Sequence, residues 1–376
     1  MRVTRGTRRR ALPLTMATGA AALALFAAGC GDDDNDSGGS ASTTSDGAKA
    51  GKVAVLLPDS KSSVRWETVD RPFLKAAFDK AGVESEIQNA EGDKSAQQQQ
   101  AEQAITNGAK VLLMVNLDSG SGAAIAANAK SQGVKVIDYD RLTLKGDSDY
   151  YVSFDNEEVG RLQGQGLVDC LEGASGKPAV AVLNGSPTDN NATLFKKGYD
   201  SVINPKFKEG VWTEVADQSV PDWDNQKALT IFEQMLQKSS NKVDGVLAAN
   251  DGLGNAAISA LKQRKLEQIP VTGQDATLQG IQNIVNGDQC MTVYKAIKKE
   301  ADAAAALAVS LAKGEEPTGV DDSVNNETKD VPAILLDPVA VTKENIKEYI
   351  GEADFPKQEE ICAGKLASKC KAVGLS

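Results

Sequence analysis

The chain of 376 residues contains no histidine. That absence removes the commonest general base, the Ser-His-Asp and Cys-His nucleophile pairs, and His-ligated zinc. Most routes to hydrolysis close with it. Positive charge is also short: 41 Lys and Arg face 52 Asp and Glu. Five of those cations, Arg2, Arg5, Arg8, Arg9 and Arg10, sit in a leader that holds no acid, which leaves 36 against 52 for the rest. Such a body repels phosphate backbones and anionic lipid surfaces, so nucleic acid is not expected as a partner. With 41% apolar and 25% charged residues, the composition is that of a globular protein with room for two domains.

Residues 1–29 read as a secretory signal, cationic through Arg10 and then apolar and alanine-rich to Ala28. The apolar stretch is too short and too small in side-chain volume to favour a permanent spanning helix. Phe26-Ala27-Ala28-Gly29-Cys30 resembles the lipobox of bacterial lipoproteins, in which Cys30 becomes the lipidated first residue of the exported chain; ordinary cleavage with Cys30 incidental is the alternative. Residues 30–51, rich in Asp, Ser, Gly, Thr and Asn without a large apolar side chain, read as a flexible tether. Cys170, Cys290, Cys362 and Cys370 remain, and an even number in an exported chain favours disulfides. Three pairings are open. A local Cys362–Cys370 loop, leaving Cys170 with Cys290, is the simplest. No closely spaced cysteine pair points to a metal.

Short apolar runs alternate with segments of helical period, the pattern of βα units and a parallel sheet. The first series has strands at 53–57, 83–87, 111–115, 134–138 and 151–154, and helices at 66–81, 95–106 and 122–131 stopped by Gly82, Gly108 and Gly133. The Gln97–Gln100 run reads as a solvated helix face. The second series has strands at 179–183, 211–216, 243–248, 269–272 and 291–294. Its helices fall at 156–171, 192–203, 226–238, 255–265 and 278–285. An alanine-rich helix to Leu311, a polar stretch to Asp330 and a strand at 331–336 complete it. The fold class is α/β, two doubly wound parallel-sheet lobes of similar size, neither of which need be contiguous.

In open α/β sheets ligands sit beyond the carboxyl ends of the strands. The residues there are Asp59, Arg65, Trp66, Asp140, Arg141, Asp189, Asn191, Trp223, Asn250, Asp251, Asp275 and Lys295. A planar Arg fork and a carboxylate can bind neighbouring hydroxyls while an indole covers a C–H face, which is what a neutral sugar needs. Each residue also has a plainer use, Asp and Asn as helix caps and Trp as core. The coincidence of complementary types at seven strand ends favours a site.

Val64-Arg65-Trp66, Tyr139-Asp140-Arg141, Phe154-Asp155-Asn156-Glu157 and Gly185-Ser186-Pro187-Thr188-Asp189-Asn190-Asn191-Ala192 closely resemble the D-xylose-binding proteins of bacterial ABC importers. So do Asn250-Asp251, Gly273-Gln274-Asp275-Ala276 and Met291-Thr292-Val293-Tyr294-Lys295, in the same order, over about residues 52–350. The resemblance implies a periplasmic binding protein of type I, a monomer with no enzyme activity, no cofactor and no metal. It implies a monosaccharide, D-xylose favoured, hydrogen-bonded by Arg65, Asp140, Arg141, Asp189, Asn191, Asn250, Asp275 and Lys295 and sandwiched by Trp66 and Trp223. Lobe 1 would combine 52–154 with 296–330 and lobe 2 would combine 155–295 with 331–350, with hinge crossings near Phe154, Lys295 and Asp330. A cysteine-containing tail, 351–376, would follow. The loop 58–64 departs from the family in carrying one carboxylate, Asp59. The partner would be an ABC permease, and the location the outer face of the cytoplasmic membrane through the lipid anchor.

Two rival readings stay open. A sugar sensor handing its bound state to a membrane receptor uses the same fold. A secreted glycosidase would use two carboxylates facing one cleft, Asp189 and Asp275. Gly252-Leu253-Gly254-Asn255-Ala256-Ala257 also satisfies a dinucleotide-binding pattern formally, but alone that signal is weak.

Overall fold

The computed structural model describes residues 50–266 and 268–375; the leader, Cys30 and nearly all of the expected tether lie outside the described residues. The first apolar run forms β1 (Lys52–Leu57). Its side chains alternate between two buried faces, Val53, Val55 and Leu57 in one cluster and Ala54 and Leu56 in another. A parallel strand covered by helices on both sides requires that pattern. A π-helical turn, Trp66–Asp70, leads into α1 (Arg71–Ala81), which ends at Gly82 with φ 66°. The lobe continues with β2 (Ser85–Asn89), α2 (Lys94–Thr106), β3 (Ala109–Met114), α3 (Ser119–Ser131), β4 (Lys135–Tyr139) and β5 (Tyr150–Phe154). These five strands run parallel in the order β5-β4-β3-β1-β2.

The chain then builds the second lobe from α4 (Asn156–Cys170), β6 (Ala179–Asn184), α5 (Asn190–Lys208), β7 (Thr213–Ser219), α6 (Asn225–Lys238), β8 (Gly245–Ala248), α7 (Asp251–Gln263), α8 (Leu278–Asn286) and β9 (Met291–Tyr294). The parallel order is β7-β6-β8. The strand expected at 269–272 forms only a single bridge, Val271 to Val246. Pro270 has no N–H to extend a ladder, yet the segment still accepts hydrogen bonds from Val246 and Cys290 on either side. α4 and α5 touch backbone to backbone: a Cβ on Gly160 would stand 2.0 Å from the Phe195 carbonyl oxygen, and one on Gly198 2.1 Å from that of Glu157. This close crossing holds the start of α5 at the base of the cleft.

α9 (Ile297–Lys313) returns to the first lobe, where Ala301, Ala304, Ala305 and Ala308 pack beneath Val53 and Val55. Here the structure corrects two expectations. The stretch to Asp330 contains β10 (Asp322–Asn325), which forms a hairpin with β11 (Asp330–Leu336). β11 pairs in parallel with β5, Ile334 opposite Val152 and Leu336 opposite Phe154, so residues 331–336 belong to lobe 1 rather than lobe 2. The third crossing therefore falls after Leu336, before β12 (Val339–Thr342) joins β9 antiparallel. Apolar residues at a strand's edge read the same in either sheet; only pairing assigns them.

The cysteine-containing segment is no loose tail. With α10 (Gln358–Ile361) and α11 (Ala367–Ala372), it buries Phe355, Ile361, Cys370 and Leu375 against Ile281, Ile284 and Val285. Gln97 is likewise not on a solvated face: it is buried and donates to the Val115 carbonyl at 2.8 Å, while Gln100 donates to that of Asn89 at 2.9 Å. Cys362 is bonded to Cys370, and Cys170 to Cys290 across 120 residues. No helix among the described residues is long and apolar enough to cross a membrane.

The Cys170–Cys290 bond ties the end of α4 to the start of β9 and closes a long loop in the unfolded chain. Replacing both residues by serine is expected to lower the unfolding free energy by about 2–5 kcal/mol, read by chemical denaturation. A loss under about 0.5 kcal/mol would show that the bond constrains neither state.

Candidate functional site

The strand-end residues converge on one narrow cavity between the lobes, about 30 Å³ in volume. All ten residues expected to meet a ligand line it: Arg65, Trp66, Asp140 and Arg141 from lobe 1, Asp189, Asn191, Trp223, Asn250 and Asp275 from lobe 2, and Lys295 at a crossing. Ser62, Ser63, Phe195 and Gln274 also line it, and sequence reasoning did not single them out. Phe195 lies one helical turn after Asn191 on α5, a spacing that shares a face. For the two serines no spacing gave a signal.

Arg65 is the hub on the lobe 1 side. Its Nε donates to Asp70 at 2.9 Å, Nη1 to Asp140 at 2.8 Å, and Nη2 to Asp70 at 2.8 Å and Glu300 at 2.9 Å. A guanidinium has five N–H donors, so only one is left for a ligand; the other four hold Asp70, Asp140 and Glu300. Burial disfavours the Arg65 charge, but Asp70, Asp140 and Glu300 outweigh it and raise its pKa well above the ordinary value. Burial likewise pushes Asp140 up, and Arg65, Lys295 and Arg141 overcome this and leave it below the usual carboxylate range. Glu300 goes the other way. Burial raises it well above its ordinary value despite Arg65.

Asp140 stands in the left-handed region, φ 63°, where a non-glycine residue is held only by its surroundings. Those surroundings are explicit. Its N–H donates to Val152 at 2.8 Å, and its carbonyl accepts from Tyr151 Oη at 3.1 Å, Ser153 Oγ at 2.8 Å and Asn191 Nδ2 at 2.9 Å. Trp223, φ 55°, and Asp275, φ 95°, are in the same region. Three cavity residues thus have backbones that aim their side chains at the expense of local strain.

The indoles are anchored through their N–H groups. Trp66 donates to Ser62 Oγ at 3.2 Å, which in turn donates to Asp59 at 2.8 Å. Asp59 therefore props up Trp66 from behind and does not line the cavity. Trp223 donates to Asp189 at 3.0 Å and rests on Gly185, where a Cβ would stand 2.1 Å from the ring. The capping use of the acids and amides coexists with the site: Asp189 caps α5 through the Asn191 N–H, and Asn250 caps α7 through the Leu253 N–H with its Nδ2 still free to donate. Asp251, beside it, turns away from the cavity into lobe 2 and is fully buried.

The lobes meet across the cavity. Asn191 donates to the Asp140 carboxylate at 3.1 Å, and Arg141 Nε lies 3.1 Å from Asp189. Lys295 stands 3.4 Å from Asp275 and 3.8 Å from Asp140. Each cation in the cavity is thus already matched by a carboxylate. An anion finds no unpaired cation there, whereas a neutral polyol can place its hydroxyls between donors and acceptors of both kinds.

Two hinged α/β lobes with a polar, charge-balanced cavity at their strand ends define a solute-binding protein. The chain belongs to the periplasmic binding protein family, whose domain matches residues 53–316. It is similar to the D-xylose-binding periplasmic protein of Escherichia coli strain K12, 38% identical over 315 residues that cover 84% of this chain and 93% of that one. It is also similar to the protein of the same description from Haemophilus influenzae, 40% identical over 82% of this chain and 92% of that one. Among solved structures, an ABC transporter solute-binding protein from Clostridium phytofermentans with bound β-D-glucose superposes with a TM-score of 0.76 at 30% identity, over 82% of this chain and 99% of that one. The protein is a sugar-binding component of the ABC-transporter type.

Arg65→Met would strand Asp70 and Asp140 without their cation. It is expected to lower the unfolding free energy near neutral pH by about 3–5 kcal/mol. The lowered pKa of Asp140 adds stability above its unfolded value and loses it as the pH falls. The gap between wild type and variant should therefore shrink toward about pH 4. Denaturation at both pH values checks this, and a gap that does not change with pH would contradict the ion-pair account.

Proposed function

We propose that the protein captures a neutral monosaccharide, D-xylose in the first instance, between its lobes and delivers it to an ABC permease. A lipid on Cys30 would hold it, as a monomer, at the outer face of the cytoplasmic membrane. The observation that carries the reading is the pre-paired cavity: three cations and three carboxylates, contributed from both lobes, with Trp66 of lobe 1 and Trp223 of lobe 2 in its lining. The sugar ring would lie between the indoles, its hydroxyls shared among Asp140, Arg141, Asp189, Asn191, Asn250, Asp275 and Lys295, with the last donor of Arg65. Because only the closed arrangement brings both sets of partners to the ligand, the sugar favours closure. The preference for xylose rests on the strings around Arg65, Arg141 and Asp189 and on the relatives named for that sugar.

Capture without chemistry is the better reading of the two acids that a glycosidase would need. Asp189 is taken up by Arg141 and the Trp223 indole, and Asp275 by Lys295.

Hydrogen bonds to charged groups contribute roughly 1.5–3 kcal/mol each. Arg141→Ala or Asp275→Ala is thus expected to weaken xylose binding by at least about tenfold, measured by calorimetry against xylose, ribose, arabinose, glucose and galactose. Unchanged affinity in both variants would remove them from the site. Tightest binding of glucose would shift the ligand to a hexose. Saturating xylose at about 100 times its Kd should also stabilise the fold by about 2.7 kcal/mol, because the unfolded chain does not bind it.

A further inference from the structure

Asp275 reaches the cavity from a short loop in which two successive residues, Asp275 at φ 95° and Ala276 at φ 47°, are left-handed. Neither is glycine, so neighbouring groups must hold the loop in place. The Asp275 N–H donates to the Val293 carbonyl at 2.8 Å, and Asp251 holds the residues on either side of it. The Asp251 backbone N–H donates to the Gln274 carbonyl at 3.0 Å. Its carboxylate accepts from the Thr277 N–H at 2.8 Å and the Thr277 hydroxyl at 3.0 Å. On the other oxygen it accepts from Gln289 Nε2 at 2.8 Å and from the Thr292 hydroxyl at 2.8 Å. That hydroxyl in turn accepts from the Ala276 N–H at 3.3 Å. Ala276 and Thr277, which follow Asp275, are thus tied to one buried side chain, and Gln274 before it to the backbone of the same residue.

The pocket for this carboxylate is shaped to it. A Cβ on Gly273 would stand 2.1 Å from Asp251 Oδ1, and one on Gly280 2.2 Å from Oδ2. Either glycine replaced by a larger residue would expel the side chain.

We propose that Asp251 is the positioning residue for Asp275: through the loop 274–277 it sets sugar affinity, and its proton is coupled to sugar binding. The inference rests on the sugar reading above.

The charged groups around Asp251 support that coupling. Burial, and after it the like charge of Asp275, raises Asp251 to about 7, against the hydrogen bonds from Gln289, Thr277 and Thr292. Of the other charges on the elements packed against it, Asp288 before β9 is bound to Lys262 at the surface, and Lys295 beyond β9 pairs with Asp275. On α6, Lys227 pairs with Asp222, and Asp224 caps the helix. Asp275 is therefore the charge that acts on Asp251 directly. A sugar that displaces water from Asp275 makes the two carboxylates interact through a drier medium. The complex then holds the Asp251 proton more tightly than the free protein does, so binding takes up a proton and affinity rises as the pH falls through about 7.

The test compares wild type with Asp251→Asn, an isosteric change that sets one NH2 against either the Thr277 N–H or the Gln289 amide. Xylose affinity across about pH 6 to 8, and proton uptake from calorimetry in two buffers of different ionisation enthalpy, are the readouts. Wild type is expected to bind several-fold more tightly at the acid end and to take up a proton near the midpoint. The variant should bind about tenfold more weakly, with a flat profile and no uptake. A folded variant with wild-type affinity and pH profile overturns the proposal, as does a flat wild-type profile. Should Asp251→Asn fail to fold, proton uptake by wild type decides alone. Wild-type protein that binds none of the sugars defeats the sugar reading instead. In that case, amide resonances of Ala276 and Thr277 that fail to titrate near the Asp251 value in ligand-free protein would overturn the positioning role.

Discussion

Everything at the cleft depends on one buried guanidinium. Arg65 sits among Asp70, Asp140 and Glu300, nearly all of its donors engaged. An unpaired charge in such a place would be strongly destabilising, and removing one partner from a buried set leaves the others exposed to that penalty. The consequence is directional. Asp140 is pinned by Arg65 on the lobe 1 side, so its remaining acceptor capacity points across the cavity, where Asn191 and Lys295 approach it from the other half of the molecule.

This arrangement explains how a crevice full of charges can suit an uncharged ligand. Opposite charges already meet in pairs, and the pairs straddle the gap between lobes. A hydroxyl can enter such a pair, donating to the carboxylate and accepting from the cation, without leaving either unmatched. The left-handed backbones of Asp140, Trp223 and Asp275 are the strained counterpart, since hydrogen bonds hold each of them before any ligand arrives. Pre-organisation of this kind reduces the ordering that binding must otherwise impose.

Much of this was legible in the sequence, for a definite reason. Strand ends are marked by the switch from an apolar run to polar residues, so Arg65, Asp140, Arg141, Asp189, Asn250, Asp275 and Lys295 could be read from position alone, and the structure brings them to one cavity. What was not legible depends on the direction of a side chain or on a pairing partner. Asp59 and Asp251 occupy strand ends as Asp140 does, but one turns back on its own loop and the other into the lobe interior. Gln274 is next to Asp275 yet carries no charge to draw notice. The strand 331–336 has the same apolar character whichever sheet it joins, and only its register against Tyr151–Phe154 places it. The residues after 350 looked polar because their few apolar side chains are spaced widely, and their burial against α8 is a property of the partner surface.

The most direct test of the account is a crystal structure grown with saturating D-xylose. The account predicts the pentose between Trp66 and Trp223, within hydrogen-bond distance of Asp140, Arg141, Asp189, Asn250, Asp275 and Lys295. An empty cavity with the sugar bound at another surface, or not bound at all, would contradict it.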